Sequence, residues 1–84
     1  MERDQAIDLL TNSPQDLINA FPRQFEISSV TTWEVVLIFK GGLGYVIPMS
    51  CIPENNIQAM LDSLKILNPQ LLIGEPDTIK NTKP

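Results

Sequence analysis

TTWEVVLIFKGGLGYVIPMS, residues 31–50, joins an apolar run to a glycine cluster and then to a second apolar run. Alternation puts Trp33, Val35, Leu37 and Phe39 on one side of the first run, and Glu34, Val36, Ile38 and Lys40 on the other. The density of β-branched and aromatic residues favours a strand over a helix. Both sides are apolar at their centres, so both need cover. In the second run Tyr45, Ile47 and Met49 share one face, and Val46 and Pro48 the other. Proline cannot donate to a ladder, so Pro48 places this strand at an edge, or its end there.

Gly41, Gly42 and Gly44 pose a choice between a phosphate cradle and a turn. A Walker loop needs Lys-Ser/Thr after its glycines and then a helix, and a dinucleotide fingerprint also opens a helix. Here Lys40 precedes the glycines and a strand follows them. The cluster therefore reads as a hairpin turn with glycines at positive φ.

On the N-terminal side, QFEISSV (24–30) alternates loosely, with Phe25 and Ile27 on one side. It reads as a strand, which makes residues 31–39 the middle of a three-stranded antiparallel meander. SPQDLINAFP (13–22) carries helix signals: Ser13 as N-cap, Pro14 in the first turn and Asp16 in a capping-box position. Leu17, Ile18 and Phe21 would form its buried side and Pro22 would end it. Residues 3–10 predict a shorter helix, with Ala6, Ile7, Leu9 and Leu10 as its apolar stripe.

On the C-terminal side, Pro53 and Glu54 suit a helix start, and Ile57, Met60, Leu61, Leu64 and Leu67 recur on one helical face. Asn68 is placed to cap it in the left-handed conformation, and Pro69 stops continuation. QLLI (70–73) is either a short fourth strand or a segment that closes over the core. Residues 75–84 predict a flexible polar tail without a fold of its own. The expected architecture is α+β: one domain over residues 1–74, with two short N-terminal helices, the meander and one amphipathic C-terminal helix.

Composition narrows the function. A chain of 84 residues buries only about 60–65% of its unfolded surface, so its core is thin. The single cysteine, Cys51, excludes a disulfide within the chain, and the absence of histidine excludes a Cys/His zinc site. At 43% hydrophobic and 19% charged the chain is too apolar for disorder. The net charge of −4, without a basic cluster, argues against nucleic acid and anionic membranes as partners. No apolar run approaches the roughly 18 residues of a membrane span. The acidic start lacks the pattern of a secretory signal, and with one unpaired cysteine the expected location is the cytoplasm.

Candidate chemistry is sparse. Cys51 precedes a helix start, which can activate a thiol, but no histidine serves as its base and Glu54 opposes thiolate formation. It reads as a small apolar residue at a strand–helix junction. Glu2, Asp4 and Asp8 could approach a cation, yet calcium wants six to eight oxygens in a defined loop, so they read as solvated helix charge. No catalytic residue, metal or cofactor is expected, and the chain does not read as an enzyme.

Two readings stand for the second face of the central strand. The short N-terminal helices cover it, or Val36, Ile38 and Val46 form a surface for a partner or a second copy. The expected function is a non-catalytic protein-binding module: an adaptor, regulator or inhibitor. It would act through Val36, Ile38 and Val46 or by adding a strand to the edge at 45–49. Trp33 and Tyr45 join these as candidate contacts, since large aromatics are enriched at interfaces as well as in cores. The alternative is a small-ligand or lipid-binding module, with a pocket between sheet and C-terminal helix lined by Trp33, Tyr45 and Met60.

The order of a Trp33 strand, a Gly41 turn, a strand ending Ile47-Pro48 and the Ile57–Leu67 helix resembles the C-terminal half of some bacterial pleckstrin-homology-like domains. The resemblance covers at most about half the chain. Two helices are expected where that barrel has strands, so no binding residue is carried over.

Overall fold

The computed structural model describes residues 1–27, 29–48 and 55–81. Its elements are α1 (Arg3–Asn12), a single 3-10 turn (Pro14–Asp16), β1 (Leu17–Ile27), β2 (Val30–Phe39), β3 (Leu43–Pro48), α2 (Asn55–Leu67), β4 (Leu72–Ile73) and β5 (Asp77–Asn81). The sheet runs β3-β2-β1-β4, and β5 also pairs with β1. β1, β2 and β3 form the antiparallel meander, while β4 and β5 lie parallel to β1. The chain is thus α+β, with β2 flanked by β1 and β3; β3 lies at an edge and ends at Pro48.

The glycine cluster is a turn. Gly42 N–H donates to the Phe39 carbonyl at 3.1 Å, and Gly41 and Gly42 adopt φ of 87° and 81°. Gly41 sits third in this four-residue turn, where a type II turn needs a positive φ and therefore favours glycine.

The second expected helix is corrected. Ser13, Pro14 and Asp16 open only one 3-10 turn, Ser13 makes no side-chain cap, and Leu17 already starts β1. The β1–β2 register explains why the sequence there looks helical. Leu17 pairs with Phe39 and Asn19 with Ile38, so β1 contains one extra residue at this point. Such a bulge re-aims the strand. It leaves Ile18 half-exposed and lets Leu17 and Ala20, three apart, both reach the core with no exposed surface. A three-residue apolar spacing is thereby produced by a strand.

Pro22 does not terminate an element either, but lies buried within β1 opposite Val35. Gly74 N–H donates to the Ala20 carbonyl at 2.8 Å, so even-numbered residues of β1 direct their backbone polar groups to the β4–β5 side. β4 pairs with Asn19 and Ala20, and β5 with residues from Arg23 onward. The nitrogen of Pro22 therefore faces the gap between them, where no ladder bond is lost.

Residues 75–84, expected as a polar tail without a fold, instead supply β5 over Asp77–Asn81. QLLI resolves into the buried Leu71 followed by β4. α2 follows its expected stripe through Ile57, Met60, Leu61 and Leu64, while Leu67 is half-exposed. Asn68 does not take the left-handed cap: Ser29 is the only non-glycine residue at positive φ among the described ones. Its side chain ties the helix end down instead. Asn68 Nδ2 donates to the Leu17 carbonyl at 2.9 Å, and its Oδ1 accepts from Gln70 N–H at 3.2 Å. The expected start at Pro53 and Glu54, the Cys51 junction and the side chain of Met49 lie outside the described residues.

The core lies on one face of the sheet. Leu17, Ala20, Val35, Leu37 and Phe39 meet Ile57, Leu61 and Leu64 of α2, with Leu71 closing one side. Each large side chain buried there contributes about 1.5–3 kcal/mol. Leu9 and Leu10 of α1 pack against the same cluster, together with Trp33, Tyr45 and Ile47.

Candidate functional site

Alternation and register assign every sheet residue to a face. The inner face carries Trp33, Val35, Leu37, Tyr45 and Ile47, and all of them join the core cluster. The outer face carries Phe21, Arg23 and Phe25 from β1, paired with Val36, Glu34 and Thr32 of β2. Val46 and Pro48 of β3 continue it beside Val36 and Glu34. The question left open by the sequence is thus answered for the described residues: both helices lie on the inner face and neither covers the outer one.

Val36 shows what this means. It is only 7% exposed, yet it does not belong to the core cluster of the inner face. Phe21 and Val46 stand directly opposite it on the neighbouring strands. Phe21, Phe25, Ile38 and Val46 around it are all half-buried. Gly44 lies opposite Ile38, and a Cβ there would make ordinary van der Waals contact with Ile38 Cδ1 at 3.7 Å.

An ion pair lies on this face. Arg23 Nη2 lies 2.8 Å from Glu34 Oε2, and Arg23 Nε donates to the same oxygen at 3.0 Å. The Arg23 guanidinium carbon also lies 5.3 Å from the Phe25 ring centre, in cation–π range. Arg23 and Glu34 are about three-quarters buried, at 27% and 24% side-chain exposure.

Of the five residues expected to bind a partner, the structure brings Val36, Ile38 and Val46 together on the outer face. Trp33 and Tyr45 sit on the inner face against the core. The sequence reading missed Phe21, Arg23 and Phe25 as members of the outer face. The signal was the alternation of Phe21, Arg23 and Phe25 themselves, obscured by the helix signals just before them.

A cavity of about 190 Å³ lies between α1 and the inner face. Arg3, Ala6, Ile7 and Leu10 form one wall, and Leu37, Tyr45 and Ile47 the other. It differs from the pocket expected between sheet and C-terminal helix, since neither Trp33 nor Met60 lines it.

Among the described residues no group of three or more His, Cys, Asp or Glu side chains is placed to hold a metal, and no helix is long and apolar enough to cross a membrane. No protein-family model, no curated protein and no solved structure matches the chain.

Proposed function

We propose that the chain is a non-catalytic protein-binding module whose outer sheet face takes a protein surface, and that the occupant this face fits is a second copy of itself. The observation that carries the reading is the one-sided packing of α1 and α2, so that among the described residues no helix covers Phe21, Phe25, Ile38 and Val46.

Charge supports self-association in particular. Arg23 and Glu34 stand side by side near the middle of the face. A two-fold axis through such a pair brings each arginine toward the glutamate of the other copy, as an isologous interface requires. Among the described residues β3 is the edge of the sheet beside the same face, where a further strand can add. A regulator or adaptor of this kind suits the cytoplasm, where a lone cysteine stays reduced.

Capture of untagged chain by a tagged copy, in the presence of cell lysate, tests the reading. The tagged chain is expected to retain its untagged copy, and Ile38→Asp in both is expected to abolish retention while circular dichroism stays unchanged. Retention of nothing by the wild type would sink the reading. Retention of a different protein in place of the second copy would overturn the choice of occupant.

A further inference from the structure

Among the described residues β3 is an edge strand, and an edge strand is a template for pairing with other chains. Charged side chains, bulges and proline are the devices within a strand that blunt such an edge. LGYVIP carries no charge, and its register with β2 runs from Leu43 to Pro48 without a bulge. Of the three devices it has proline alone.

The ladder fixes which way the Pro48 nitrogen points. Even-numbered residues of β1 direct their backbone groups toward β4 and β5, as the bond from Gly74 N–H to the Ala20 carbonyl shows. Phe21 and Arg23 therefore direct theirs toward β2, where Val36 and Glu34 face back to them. That turns Val35 and Leu37 toward β3, where Ile47 and Tyr45 pair with them. Gly44, Val46 and Pro48 alternate with these and direct their backbone groups outward, away from every described strand. Gly44 and Val46 can each donate and accept there. Pro48 can only accept, and its ring stands where an N–H would be.

We infer that Pro48 guards this edge and keeps a second copy from adding along the whole of β3. The longest two-fold pairing sets β3 antiparallel to itself about Val46, with Gly44 of each copy opposite Pro48 of the other. At both ends the Gly44 carbonyl then meets a proline ring in place of a donor. The two-fold pairing that avoids Pro48 sets Gly44 opposite Val46 and is confined to residues 44–46. Such a ladder is shorter than a typical strand of about 5–6 residues. A strand that adds to this edge is thus held only at Gly44 and Val46. The guard acts on the edge and not on the outer face, so it stands apart from the self-association proposed above.

Pro48→Thr and Pro48→Ala each restore the missing N–H, and Pro48 is exposed, so neither opens the core. Each is placed in the full Ile38→Asp chain, which reports on the edge whether or not the outer face pairs, so the two readings fail separately. Sedimentation equilibrium is expected to show the mass rising with concentration from 9.4 kDa toward twice that value, with circular dichroism unchanged. Amide exchange at Gly44 and Val46 is expected to slow with concentration in these chains and not in Ile38→Asp alone. A mass of 9.4 kDa throughout for both variants would overturn the inference. Growth accompanied by loss of the circular dichroism signal, or growth that leaves exchange at Gly44 and Val46 unchanged, would overturn it as well.

Discussion

Arg23 and Glu34 face each other across β1 and β2, and two nitrogens of the arginine donate to one glutamate oxygen at 3.0 and 2.8 Å. They stand on the outer face beside Phe21, Phe25 and Val36. In a monomer this pair is partly open to water, and a double-mutant cycle with Arg23→Met and Glu34→Gln should give a coupling of about 0.5–1 kcal/mol that weakens with salt. If the outer face is covered by a second copy, the coupling measured at high protein concentration should rise and lose its salt dependence. Denaturant unfolding at two concentrations checks both.

Asn68 links the end of α2 to the first residue of β1, through its bond to the Leu17 carbonyl. Asn68→Ala removes this bond and the one from Gln70, and should cost about 1–2 kcal/mol. Asn68→Asp should cost at least as much, because it turns a donor into an oxygen facing the same carbonyl. Midpoints of urea unfolding with an unchanged slope would establish both.

Leu61 and Leu67 belong to one helical stripe in the sequence but to different environments in the fold: 4% exposed against 50%. Leu61→Ala should therefore cost about 2–5 kcal/mol, a large share of the stability of a domain this size. Leu67→Ala should stay within about 1 kcal/mol, since its side chain loses little on exposure. Equal effects on thermal midpoints would contradict the placement of α2.

Ser29 turns the chain from β1 into β2 with φ of 67°, opposite the Ile27–Val30 pair. A side chain in this region carries a penalty of about 1–2 kcal/mol that glycine avoids, though glycine gives back part of it through the freedom of its unfolded state. Ser29→Gly should stabilise the chain by roughly 0.5–1 kcal/mol, and Ser29→Val should destabilise it by more.

The meander was legible because its signals are local. Alternation from Trp33 to Phe39, the glycines and Pro48 each act within a few residues. What stayed hidden depends on distant chain. The bulge at Ile18 imitates helical spacing, and only pairing with Phe39 and Ile38 shows that Leu17 and Ala20 are strand residues. Pro22 looks like a terminator until β4 and β5, some fifty residues later, leave a gap opposite its nitrogen. DTIKN has the composition of a tail, and it is a strand because β1 has a free edge to offer. The outer face was half legible: Val36, Ile38 and Val46 were visible by period, but its other half came from the segment read as helix. Which face α1 covers is a matter of tertiary packing, and no local pattern in residues 3–12 encodes it.

The central claim is that the outer face is covered by a second copy. Sedimentation equilibrium over a wide concentration range measures this directly. The account predicts a mass rising to twice the 9.4 kDa of one chain, and Ile38→Asp remaining at the mass of one chain throughout. A wild-type mass of 9.4 kDa at every concentration would contradict it.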